Sequence, residues 1–240
     1  MEHNINNLLL YTMEATDGLI GDVKDFYFDD KTWHVRYLII KTGGWLSGRE
    51  VLISPVALLN EKWRNGVFPV SLTKKQVNNS PDIDTDKPVS RQQESALYDH
   101  YAWEGYWFSG YYPGGYLGVS TPFPSIDQKV WIPADEDTKT EGDTHLRSTA
   151  TITGYHIHAT DAEIGHVIDF IIDDETWQIK FIVVDTHNWF GGKKVLIPTG
   201  LVKKIEWADA KVYLEIDTAT VEKCEPFIEA DYTKWQIATP

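Results

Sequence analysis

Apolar residues alternate with polar ones along short stretches of the chain, and the same stretches occur twice. Val23, Phe26 and Phe28, then Trp33, Val35, Tyr37 and Ile39, predict two half-buried strands. Trp177, Ile179, Phe181 and Val183 repeat the second of them. Between the two strands lies Asp29-Asp30-Lys31-Thr32, matched by Asp173-Asp174-Glu175-Thr176. Short Asp side chains fold back onto turn backbone, so each tetrapeptide predicts a hairpin turn. Upstream, residues 8 to 13 predict an opening strand, answered by Ile152, Tyr155 and Ile157. Downstream, Gly43, Gly44, Trp45, Leu46 and Gly48 form a connection into residues 51 to 54, closed by Pro55; the second stretch keeps Trp189, Gly191 and Gly192 before Pro198. Glycines allow positive φ in such a tight turn, and the tryptophan is expected to fold down as a lid. A last strand, 67 to 72 or 211 to 216, leads into a short helix, with capping-box spacing at Thr73 and Gln76 and a capping Asp217 in the second copy.

These patterns are one module written twice. Residues 15 to 81 realign on 159 to 225 at a constant offset of 144, without insertion. Five or six short strands with close turns and a terminal helical turn predict an all-β fold: two small antiparallel β-barrels, each with a short C-terminal helix. The expected organisation is a first barrel over 1–81, an aromatic-rich and acidic linker over 82–150, and a second barrel with a tail over 151–240. Tethering two like units raises their effective concentration, so a side-by-side, pseudo-twofold pair is expected. Such an intramolecular pseudo-dimer is compatible with a monomer or a homodimer in solution.

Composition narrows the function classes. Units of about 70 residues are near the lower size for an independent core, so each barrel is expected to lean on something else. A formal charge of −14 repels phosphate backbones and there is no strong basic patch, which argues against nucleic-acid binding. No apolar run approaches the roughly 18 residues of a membrane span. The N-terminal residues lack the basic start of a signal peptide, so a cytoplasmic location is expected, with membrane contact only through a partner. One cysteine, Cys224, excludes an intrachain disulfide and a thiolate metal site.

Between the copies, nine of the nineteen residues from Tyr98 to Tyr116 are aromatic. Trp103, Tyr106, Trp107, Phe108, Tyr111 and Tyr112 are the candidate protein interface, since Tyr and Trp anchor interfaces and also stack on rings. The competing reading packs this segment back over open barrel edges.

Candidate chemistry is sparse. His156 and His158 share a strand face at metal-ligand spacing, and His166 and His187 follow. The equivalent positions in the first copy are Thr12, Glu14, Asp22 and Gly43, so these two histidines are weak metal candidates. The Asp pairs at 29–30 and 173–174 lack the glycine-spaced ligands of a calcium loop and are read as turn residues. Gly43-Gly44 and Gly191-Gly192 lack the following Lys-Ser/Thr of a phosphate loop. No catalytic constellation emerges, and neither a cofactor nor an enzymatic activity is expected.

The segment Gly21 to Phe26, Asp30, the Gly43-Gly44-Trp45 loop and the strand end at Pro55 together resemble the PRC-barrel domain. That domain occurs in the cytoplasmic part of the photosynthetic reaction-centre H subunit and in a ribosome-maturation factor. Gly165 to Phe170, Asp174, Trp189 and Pro198 repeat the pattern. The motif residues are thus Gly21, Asp25, Asp30, Trp45, Pro55, Gly165, Asp169, Asp174, Trp189 and Pro198. The resemblance implies a non-enzymatic adaptor that docks on a larger protein assembly, with a membrane-associated, electron-transfer-related one among its settings. A small-molecule or metal-binding module, using the aromatic linker or the His156/His158 face, is the alternative.

Overall fold

The computed structural model describes residues 1–9, 11–46, 48–59, 66–81, 91–103, 146–186 and 191–229. In the first half, β2 (Thr12–Ala15), β3 (Gly18–Asp29), β4 (Val35–Thr42), β5 (Glu50–Ile53) and β6 (Val67–Pro69) form a sheet in the order β5-β4-β3-β2-β6. In the second, β8 (His156–His158), β9 (Glu163–Asp173), β10 (Ile179–Asp185), β11 (Lys194–Pro198), β12 (Val202–Glu206) and β13 (Lys211–Leu214) run in the order β11-β10-β9-β8-β13-β12. The fold is mostly β, as expected. Two details differ from the expected antiparallel barrels. The β2/β6 and β8/β13 pairs are parallel, because the last strand of each half returns beside the first in the same direction. Among the described residues neither sheet closes into a ring of paired strands.

The motif glycine of each half marks a close backbone approach. A Cβ on Gly21 would lie 2.0 Å from the Lys41 carbonyl oxygen, and one on Gly165 would lie 2.0 Å from that of Asp185. Gly21→Ala is therefore expected to force β3 and β4 apart and to cost about 3 kcal/mol, an overpacking penalty at the high end of its range. Thermal melting checks this; an unchanged melting temperature would contradict it.

Helical turns sit where capping residues place them. The Thr73 hydroxyl accepts from Gln76 N and the Gln76 side chain reaches back, closing a capping box on α2 (Lys74–Asn78). Asp217 caps α5 (Thr218–Val221) in the second half. The stretch 8–13 is not one strand. Asn4 accepts from Asn7 N and starts a helical turn, α1 (Ile5–Leu8), so β2 begins only at Thr12. Ser148 does the same for α4 (Thr149–Ile152). Both short helices follow short strands, β1 (Glu2–Asn4) and β7 (Leu146–Ser148), the latter within the stretch read as linker.

A longer helix, α3 (Arg91–Tyr101), lies against the face of the first sheet. Glu94, Leu97, Tyr98 and Tyr101 recur at helical spacing and are all buried. Ala102 then takes a left-handed conformation (φ 55°), and Trp103 N donates to Tyr98 O, a wrap that closes the helix. One contiguous cluster of buried apolar residues runs through both halves, from Ile5 and Phe26 to Trp177 and Val221. Each half leans chiefly on the other. No described helix is long and apolar enough to cross a membrane.

Candidate functional site

The chemistry-bearing residues converge on the junction of the two halves. β1, which precedes the first copy, pairs with β9 of the second, and β7, which precedes the second, pairs with β3 of the first. The registers match at the sequence offset: Glu2 faces Asp173 as Leu146 faces Asp29, and Asn4 faces Ile171 as Ser148 faces Tyr27. Each arm is thus a strand in the other half's sheet.

A buried motif carboxylate receives each arm. Asp25 accepts from the Ser148 hydroxyl, from Thr149 Oγ1 at 2.8 Å and from Ala150 N at 3.0 Å. Asp169 accepts from Asn6 N at 3.1 Å, and Asn6 Nδ2 donates to Ile168 O. Each carboxylate also accepts from the next residue's own N–H, Phe26 or Phe170. Neutralising the exposed donors of a helical turn is ordinary capping, but here the cap belongs to the opposite half.

Burial raises the Asp169 carboxyl from its ordinary 3.8 to about 6, against the lowering effect of the Phe170 and Asn6 hydrogen bonds. A raised native value favours the protonated form, so this group's contribution to stability is complete below about pH 4 and is lost as pH rises through about 6. Asp169→Asn keeps an acceptor but removes the charge. Its stability relative to the parent is expected to rise by roughly 2–3 kcal/mol between pH 4 and pH 7.5. Urea unfolding at the two pH values checks this, and a pH-independent difference would contradict it.

The second Asp of each hairpin tip was read as a turn residue and does something else. Asp29 and Asp173 make the turns, each accepting from two following backbone N–H groups. Asp30 instead takes Arg147 Nε at 2.7 Å, and Asp174 takes His3 Nε2 at 3.0 Å. His3 and Arg147 are themselves 144 apart, so a basic arm residue meets an acidic tip on both sides.

Trp33 and Trp177 are displaced from the strand alternation predicted for them. Both sit in the turn with positive φ, 59° and 57°, a conformation that costs a bulky residue energy. The twist aims each carbonyl at the other half. Ile179 N donates to Trp33 O at 2.7 Å, Val35 N donates to Trp177 O at 2.8 Å, and His34 and Gln178 bridge between them. The Trp177 ring lies 6.4 Å from Phe26 and 6.2 Å from Phe68, both in the first half.

Beside this junction opens a cleft of about 370 Å³, walled by Arg36, Ser54, Val56 and Tyr98 of the first half and Thr176 and Trp177 of the second. Arg36 is held by Asp29 at 3.3 Å and Thr32 Oγ1 at 3.2 Å. Burial, then the Arg36 charge, pushes the His34 imidazole down from 6.5, so the cleft's histidine is neutral near pH 7. Next to it the Tyr37 hydroxyl donates to buried Glu94 at 2.7 Å, tying α3 to the first sheet.

Other candidates are placed as follows. His156 Nδ1 and His158 Nε2 each lie 2.9 Å from a different oxygen of Glu163, which sits between them. Among the described residues no group of three or more His, Cys, Asp or Glu is placed to hold a metal ion; His187 lies outside them. Pro55 opens a 3-10 turn and Pro198 caps another. The Trp45 side chain and Trp189 lie outside the described residues, as do Tyr106, Trp107, Phe108, Tyr111 and Tyr112. Trp103 is half-buried, stacked on Tyr101 at 4.4 Å and edge-on to Tyr98 at 5.6 Å. Burial drives the Tyr101 hydroxyl up to about 12.

His3, Asn6, Arg147, Ser148 and Thr149 were missed. The signal was available: the 144 offset continues upstream of residue 15, placing helix-capping Asn4 on Ser148.

Two like β-modules that complete each other's sheets define a tandem-module scaffold. Residues 3–77 and 150–220 match the sequence model of the PRC-barrel domain, together more than half of the chain. The chain belongs to the PRC-barrel domain family. It is similar to an uncharacterized protein of Deinococcus radiodurans, 32% identical over 97 residues, which cover 38% of this chain and 35% of that protein.

Proposed function

We propose that the protein is a non-enzymatic, cytoplasmic adaptor. In this reading two PRC-type barrels, related by an approximate twofold axis, form one rigid body that docks on a protein partner within a larger assembly. The observation that carries it is the reciprocal exchange of arms at the junction, where every strand pairing has a counterpart at the same offset. An arrangement of this kind holds surfaces from both copies at a fixed distance, which is what an adaptor requires and what two flexibly linked barrels would lack.

Docking is assigned to the junction cleft and to the aromatic segment of the sequence, with Trp103, Tyr106, Trp107, Phe108, Tyr111 and Tyr112 as anchors. Val56, 66% exposed at the cleft, marks the accessible rim. Two variants test this by affinity capture from native lysate over a range of salt: Val56→Asp and the double replacement Trp107→Ala with Phe108→Ala. Both are expected to lose a partner that the parent retains, at a melting temperature within about 2 °C of the parent for Val56→Asp, as befits an exposed position. Capture of the same partner by the parent and both variants would contradict the assigned surface. Capture of nothing above background would contradict the adaptor reading itself.

A further inference from the structure

The two exchanged arms occupy equivalent grooves but bond differently to the carboxylate that receives them. The arm at 146–152 delivers two hydroxyls and one N–H to Asp25, and its Arg147 meets Asp30. In the arm at 2–8 the position of Thr149 is taken by Ile5, which has no hydroxyl, and of the arm's residues Asn6 is the one that donates to Asp169. Its other attachments include a three-residue strand, the contacts of His3 and of the Met1 ammonium with Asp174, the bonds from Asp174 N to Met1 O and from Asn6 Nδ2 to Ile168 O, and the buried side chains of Ile5 and Leu8. Strand pairing of this length is weak by itself, so the arm's seat depends on these contacts together, with Ile5 and Leu8 as its apolar anchors.

We infer that the 2–8 arm exchanges between molecules: the groove along β9, with Ile168 O and Asp169 at its floor, accepts the arm of a second copy of this chain. Every bond that seats the arm within one molecule is remade when the donor is another copy. The occupant is therefore specified by chemistry already present: a β-strand ending in a capping Asn, followed by one helical turn with apolar residues at its first and fourth positions. Tethering favours the intramolecular seat at low concentration, while mass action favours reciprocal exchange as concentration rises. The product is a strand-swapped dimer with no new interface chemistry. The arm at 146–152, better bonded to Asp25, stays in its own molecule.

The test mixes isotope-labelled and unlabelled full-length chains at high concentration, dilutes them and reads native mass spectra. Dimers of mixed mass are expected, increasing with the concentration at mixing. The double variant Ile5→Asp with Leu8→Asp is expected to abolish them. A synthetic peptide of residues 1–9 in excess is expected to suppress them in the unmodified protein and to appear bound to the monomer, a readout that holds even where the double variant fails to fold. Absence of mixed dimers at every concentration would overturn the inference. So would dimers that persist undiminished in the presence of the peptide.

Discussion

Asp25→Ala is expected to destabilise the protein by about 3–5 kcal/mol, the loss typical of removing one partner from a buried charge-assisted network. The carboxylate is buried and accepts from Phe26 N, Thr149 Oγ1, Ala150 N and the Ser148 hydroxyl. Alanine leaves those donors facing a space that no other acceptor fills, and the N-terminal turn of α4 loses its cross-half cap. The arm at 146–152 then keeps its strand pairing, Arg147–Asp30 and the buried side chains of Leu146 and Ile152. Asp25→Asn, which keeps an acceptor, is expected to lose less than half as much. Equilibrium unfolding in urea measures both. A loss below about 1 kcal/mol for the alanine variant would show that the arm is not seated by this carboxylate.

Trp177→Ala is expected to cost a further large amount, about 3–5 kcal/mol, as for other buried tryptophans truncated to alanine. Although Trp177 belongs to the second copy, its ring packs beside Phe26 and Phe68 of the first. Its backbone places no obstacle to the change, since Ala102 and Ala210 already adopt the same left-handed conformation in this chain. The loss therefore reports packing between halves. Each kcal/mol lowers the melting temperature of a chain this size by about 2–4 °C, so a fall near 10 °C is expected in a thermal melt. A shift of only one or two degrees would contradict a shared core.

Much of the module was legible in the sequence because it is written in local physics. Alternation placed β3 and β4, Asp29 and Asp173 marked their turns, and Thr73 with Gln76 announced α2. The exchange was not legible, because hydrophobic alternation says which face of a strand is buried but not which neighbour buries it. Leu8 illustrates the limit. Its apolar run reads as a strand, yet Asn4 caps the chain into a helical turn four residues earlier and sends Leu8 into the other half's core.

Trp33 and Trp177 escaped for a related reason. They continue the alternating pattern of the strands that follow, but tertiary hydrogen bonds to Ile179 and Val35 hold them in the left-handed region that pattern alone disfavours. The acidic tips were half understood, since the first Asp of each pair serves its own turn while the second serves the opposite arm. Local rules recovered what each half does for itself. What each half does for the other is set by tertiary contacts that no local pattern encodes.

That distinction carries the functional reading. Two modules joined only by a linker would move independently, whereas arms lodged in opposite sheets and a cluster of apolar side chains spanning both copies make one unit. The walls of the junction cleft come from both halves.

Hydrogen exchange under increasing denaturant tests this unity most directly, by comparing the amides of β4 in the first half with those of β10 in the second. Both strands are expected to open in the same cooperative step, with one free energy and one denaturant dependence, and Trp177→Ala is expected to lower both equally. Retained protection in β4 after β10 has opened, or a Trp177→Ala effect confined to the second half, would contradict it.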